Sequence, residues 1–221
     1  MRRVAIWIHG GIGGGLFAQG QPAIQELVGR LANHFKIDVF SLLPPDDQFD
    51  CSRFKIYSLR SRTRVRLVRW LYLIWEFVLM NRRNRYQLVY GFWGYPAGIM
   101  TVILGAMLGI PSVIHLQGGD AVKIPWLKYG VFNNPLRARL CRFAYAKCSC
   151  LIALTHYQAA CLKSNGISRE PVVIPFGPDL DQFTFNGRKF EHPIVKFLHV
   201  GNQTPVKGQQ IMLRTFHSIA R

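Results

Sequence analysis

Short apolar runs punctuate this chain, and each is followed by residues at helical spacing. Residues 3–9 form the first and end at Gly10. Residues 39–43 stop at Pro44 and Pro45, and 54–59, 87–91, 112–116, 150–154 and 172–174 follow. A strand apolar on both faces must be covered on both, the condition of a central strand in a parallel sheet. Pro22 opens the first helical segment, where its missing N–H costs nothing. Ile24, Leu27, Val28 and Leu31 give that segment an apolar stripe. Further helices are expected over 63–80, 97–108, 136–147 and 156–164. Strands alternating with helices predict an α/β fold, a doubly wound parallel sheet covered on both faces.

The alternation closes near residue 174, and 176–193 is an irregular stretch of Gly, Pro, Asp and Asn that suits a linker. Then the opening motif returns. Val195-Lys-Phe-Leu-His-Val-Gly201 echoes Val4-Ala-Ile-Trp-Ile-His-Gly10, and a loop and a helix over 209–220 follow. One parallel strand and one helix cannot form a sheet without neighbours. The expected organisation is a domain over 1–175, a linker over 176–193, and the first strand and helix of a second α/β domain over 194–221. A chain of 221 residues, at roughly 150 per domain, holds about one and a half domains. The second domain is therefore expected to be cut short, and the chain to be inactive alone.

Lys and Arg number 28 against 11 Asp and Glu, a net charge of +17, but 49% of the residues are apolar. That excludes a disordered polycation. The five cysteines, Cys51, Cys141, Cys148, Cys150 and Cys161, follow no secretory signal. They read as free thiols in a reducing cytoplasm. Cys148 and Cys150 are spaced C-x-C, so no metal site is expected. Pro111 interrupts the apolar stretch 97–116 and 70–80 is too short to span a bilayer, so no transmembrane helix is expected.

Six glycines (10, 11, 13, 14, 15 and 20) separate the first strand from the first helix. Such a loop can be a tight turn and nothing more. It can also present backbone N–H groups to an anion, with the helix N-terminus adding positive potential. The number of glycines favours the anion. Dinucleotide binding fits poorly, because G-x-G-x-x-G started at Gly11 meets Leu16, and Asp38 lies at the start of the second strand rather than its end. No P-loop lysine and no G-x-S-x-G elbow occur.

Four motifs in order resemble the retaining GT-B glycosyltransferases of family 4, the group 1 glycosyltransferases. They are the first glycine loop; Gly118-Gly119-Asp120; Ile174-Pro-Phe-Gly-Pro-Asp179 with Phe183; and Gly201-Asn-Gln-Thr-Pro-Val-Lys207-Gly208. The resemblance implies two Rossmann-like domains facing across a cleft. The first would hold a glycan or lipid-linked acceptor, as in polysaccharide or glycolipid synthesis, and the second a UDP- or GDP-sugar donor. Neither metal nor cofactor is implied. Gly13, Gly14 and Gly15 would lie near the donor phosphates, and Lys207 would neutralise the diphosphate. Gln117, Gly118 and Asp120 would line the sugar or acceptor cleft. No catalytic residue is assigned.

Three departures stand out. Gln117 occupies a position where many members have His, and His115 reads as an ordinary strand histidine. Asn202 replaces an expected Arg. The family's E-x7-E pair belongs to sequence beyond Arg221.

Arg60, Arg62, Arg64, Arg66, Arg69, Arg82, Arg83 and Arg85 bracket an apolar helix over 70–80 that contains the sole acid of the region, Glu76. Two readings stand level and can coexist. In one the helix covers the sheet. In the other it anchors the protein on the anionic inner face of a membrane, with Arg62, Arg64, Arg66, Arg69 and Trp70 facing the lipid. Nucleic acid is not an expected partner, since no helix-turn-helix, RRM, KH or zinc-finger pattern occurs. The rival to a transferase is a non-catalytic membrane-associated module or a decayed enzyme.

Overall fold

The computed structural model describes residues 1–13, 21–60, 65–177 and 196–219. Seven parallel strands make one sheet: β1 (Arg3–Ile8), β2 (Lys36–Ser41), β3 (Lys55–Tyr57), β4 (Leu88–Phe92), β5 (Ser112–His115), β6 (Cys150–Ala153) and β7 (Val172–Val173). Their order across the sheet is β3-β2-β1-β4-β5-β6-β7. Helices α1 (Pro22–Leu31), α2 (Arg66–Asn84), α3 (Ile99–Leu108), α4 (Pro135–Lys147) and α5 (His156–Ser164) connect them. This is the doubly wound α/β architecture that the alternation predicts.

The order dictates the layers. From β1 the chain steps through α1 to β2. From β3, α2 carries it back to β4, and α3, α4 and α5 continue in that opposite direction. Parallel crossovers are right-handed, so α1 lies on one face and α2 to α5 on the other. The core follows this division. Val4, Ile6 and Ile8 of β1 pack with Ile24 and Val28 of α1. Ala5 and Trp7, pointing the other way, pack with Leu73 and Phe77 of α2. Under α2 the rings form a stack: Trp70 on Trp7 at 5.9 Å, Trp7 on Phe40 at 5.3 Å, and Phe40 on Tyr57 at 5.1 Å.

Helix α2 runs past the expected end at residue 80. Arg85, in the left-handed region at φ 50°, terminates it, its N–H bonded to the Asn81 carbonyl. The Asn81 side chain accepts from the Tyr86 N–H at 3.0 Å. Asp38 is buried at the opposite edge of the sheet from the glycine loop. It accepts from the Tyr86 hydroxyl at 2.6 Å and from the Asn84 amide at 3.1 Å.

Residues 196–219 contain a 3-10 turn (Pro205–Lys207) and helix α6 (Gln209–Ile219). The strand expected over 195–201 is not formed in its described part, residues 196–201. A parallel strand needs a neighbour for its N–H and C=O groups, and Phe197, Leu198 and Val200 are exposed instead. The Phe197 ring meets Phe216 of α6 edge-on at 5.2 Å.

Candidate functional site at the carboxyl edge of the sheet

Successive connections leave on opposite faces at β1 and β4, so a crevice opens outside their carboxyl ends. Open α/β sheets bind ligands at such a switch point. Three loops border it: His9 to Gly13 after β1, Trp93 to Gly98 after β4, and Leu116 to Asp120 after β5. The His9 and Trp93 rings meet across it at 5.4 Å, nearly perpendicular. Trp93 holds φ 66°, a conformation rare for a bulky residue. Its N–H is bonded to the His115 carbonyl at 3.0 Å. Burial, and then the positive charge of Arg66, push the His9 pKa below the usual imidazole range.

Gly11 and Gly13 both have positive φ, 83° and 70°. A Cβ on Gly13 would run into the Phe49 ring, and one on Gly11 would press on Leu43 at 3.0 Å. The Gly13 carbonyl accepts from the Asp46 N–H at 2.9 Å. The turn itself therefore demands glycine at these two positions. Gly14 and Gly15 lie outside the described residues. Helix α1 starts without a capping side chain or an acid in its first turn, and Gln21, also left-handed, precedes it.

Asp120 is buried and spends its carboxylate on backbone. Its Oδ2 accepts from the Gln117 N–H at 2.9 Å, and the N–H groups of Gly94, Tyr95 and Gly118 also donate to it. Tyr145 of α4 donates to the Asp120 carbonyl at 3.0 Å. The same hydroxyl fills the space where a Cβ of Gly94 would stand. Asp120 was expected in the cleft lining. Its carboxylate ties the loop after β4 to the loop after β5, since four N–H groups from the two loops converge on it. Burial pushes its pKa up to about 6 against the pull of those donors. Gln117 and Gly118 are half-buried at the rim, with the Gln117 amide donating to the His115 carbonyl at 3.2 Å.

His115 is a buried strand histidine, as read from the sequence. Its Nδ1 lies 2.6 Å from the Tyr90 hydroxyl, and its ring stacks on Phe92 and packs against Phe176. Burial lowers its pKa to about 4.

The arginines expected at a membrane divide. Arg62 and Arg64 lie outside the described residues. Arg66 is exposed at the start of α2 and acts electrostatically on His9. Arg69 turns inward and donates to the carbonyls of Leu42 and Leu59. Trp70, expected outside, stacks on Trp7 because its helical phase points it at the sheet; the outward tryptophan is Trp75. Lys207 is exposed in the 3-10 turn before α6, its stem 3.8 Å from the position of a Cβ on Gly201.

Sequence reasoning missed His9, Trp93 and Tyr145. The echoed His-Gly that ends both strand motifs was the available signal for His9. Nothing local marks Tyr145, which reaches the site from the helix after it.

Residues 20–177 match a family model described as a glycosyl transferase 4-like domain. No curated protein matches the sequence. Among solved structures, sucrose-phosphate synthase from Thermosynechococcus elongatus aligns with TM-score 0.59 at 15% identity, over 83% of this chain and 50% of that one. The lipopolysaccharide outer core galactosyltransferase WaaB, apo form, aligns with TM-score 0.51 at 10% identity, over 78% and 44%. UGT73P12 of Glycyrrhiza uralensis, complexed with glycyrrhetinic acid 3-O-monoglucuronide, gives 0.51 at 11%, over 80% and 49%. At these identities the likeness shows a shared GT-B-type fold. The chain spans about half the length of these structures or less. On the match over 20–177, which embraces the loops after β4 and β5, the chain belongs to the glycosyl transferase 4-like domain family.

Proposed function

We propose that this chain supplies the acceptor-side domain, residues 1–175, of a retaining, metal-independent glycosyltransferase. The donor is a nucleotide sugar with a uridine or guanosine base, and the acceptor is a glycan or a lipid-linked glycan. Residues 176–193 are the linker, and 194–221 open the donor-side domain. The observation that carries this reading is the crevice at the strand-order reversal. It is bordered by glycine backbone, by an uncapped helix N-terminus and by the charge of Arg66, a setting for an anionic leaving group.

In the reaction the bond between the anomeric carbon and the diphosphate oxygen breaks, and its electron pair stays with the diphosphate. The acceptor hydroxyl oxygen forms the new bond on the same face and gives up its proton to the departing diphosphate oxygen. Charge grows on the leaving group, and N–H dipoles and cations placed in advance stabilise it most where water is excluded. Gly13, Gly14 and Gly15 supply backbone N–H groups and Lys207 a full charge. Gln117 and Gly118 border the acceptor, and Asp120 holds their loop in place.

The test is transfer from labelled UDP- and GDP-sugars into extractable glycolipid or polysaccharide by the native gene product. Lys207→Ala is expected to lower kcat/KM about 100-fold. Undiminished transfer by that variant would remove Lys207 from the site. No transfer with any donor would leave a non-catalytic module. The 221-residue chain alone is expected to show no turnover, since residues 196–219 form no sheet on which a donor could rest.

A further inference from the structure

We infer that the outer face of the helical layer formed by α2, α3 and α4 is a docking surface for an anionic lipid bilayer. These helices lie side by side on one face of the sheet, and all three leave apolar side chains in water. On α2, Leu67, Leu71 and Trp75 follow at i, i+4 and i+8, and are 65%, 58% and 60% exposed. Met107 on α3 is 75% exposed, and Leu136 and Phe143 on α4, seven residues apart, are 67% and 52% exposed. The inward faces of the same helices hold the core through Leu73, Phe77, Val102, Leu104 and Cys141. The outward side chains are therefore not needed to fold the sheet.

The charge selects the occupant. Besides the inward-turned Arg69, helices α2 and α4 carry seven cations, Arg66, Arg82 and Arg83 on the first and Arg137, Arg139, Arg142 and Lys147 on the second. The three helices carry one acid, Glu76. Among the described residues neither ion pair draws on Arg66, Arg82, Arg83, Arg139 or Lys147. Apolar side chains ringed by unneutralised cations, with a tryptophan among them, match the depth profile of an anionic interface: acyl boundary, headgroup, phosphate. No described helix is long and apolar enough to cross a membrane, so α2 lies in the interface plane. The apolar stripe of α2 fills its first turns, at the end that meets the carboxyl edge of the sheet, so the bilayer would run up to the rim of the crevice. The surface stands apart from the transfer reaction and does not depend on it.

The test is flotation of the 221-residue chain with phosphatidylglycerol vesicles and with neutral phosphatidylcholine vesicles. Binding is expected to the anionic vesicles alone and to weaken with salt. Arg82→Gln and Arg139→Gln are each expected to reduce partitioning about fivefold. Leu71→Ser with Trp75→Ser is expected to reduce it by about tenfold or more at unchanged Tm. Brominated lipid is expected to quench the wild-type tryptophan emission, and Trp75→Phe to lose most of that quenching while still floating. Equal capture by neutral vesicles would overturn the proposal. So would unchanged flotation of the Leu71/Trp75 double variant. Binding to RNA or to an acidic protein that tracks the arginines and ignores Leu71 and Trp75 would overturn it as well, marking the face as a plain polycation.

Discussion

Asp120 and His115 stand on neighbouring backbone and titrate against each other. The carboxyl of Asp120 is held near 6, above its ordinary range, so the stability it contributes is full below about pH 4 and is lost as pH rises to about 6. The imidazole of His115 is held near 4, below its ordinary range, so its contribution is full above about pH 6.5 and is lost as pH falls to about 4. The windows overlap and the signs are opposite. Thermal melts between pH 4.5 and 6.5 should show wild type nearly level on account of these two groups. Asp120→Asn should melt higher at pH 6.5 than at 4.5, and His115→Gln lower. A parallel pH dependence in all three proteins would show that neither group titrates as its burial requires. Sequence placed His115 correctly, because a histidine inside an apolar run is a strand residue. What Asp120 holds was not legible, because a short Gly-Gly-Asp motif cannot show that the N–H groups it serves include those of Gly94 and Tyr95, more than twenty positions earlier.

At the scale of the element, α2 is one helix with two unlike faces. Phe77 is buried against Trp7, Phe40 and Tyr86, while Trp75, two residues away, points into water. Phe77→Ala is expected to cost about 3–5 kcal/mol, lowering Tm by roughly 10 °C. Trp75→Ala should cost under about 0.5 kcal/mol. Differential scanning calorimetry on both variants checks the contrast. The sequence showed that the helix exists, since 70–80 is apolar and flanked by charge. Its phase was not legible there: a segment apolar on nearly every side gives no moment by which to tell Trp70 from Trp75. The sheet strands were the most legible elements, because 3–9, 87–91 and 112–116 are too short and too apolar for anything else. The strand at 195–201 failed for a reason outside its own residues, the absence of a neighbouring ladder in the described structure.

At the scale of the molecule, the sheet and residues 196–219 differ in how well they are covered. Strands β1 and β4 are buried, whereas α6 buries no residue. Hydrogen exchange should find the amides of β1 and β4 protected to the level of global unfolding and those of α6 exchanging by local opening. Equal protection would mean that α6 has a cover the described residues lack. All seven strands are parallel, so each delivers the chain to the same edge. After β7 the backbone emerges there too. Phe176 is pinned against His115, and Gly177 follows with open space where a side chain would be. The polypeptide thus leaves the sheet at the rim of the crevice, past the Phe176 ring that packs on His115. Residues 172–177 therefore share the edge at which the proposed ligand would enter.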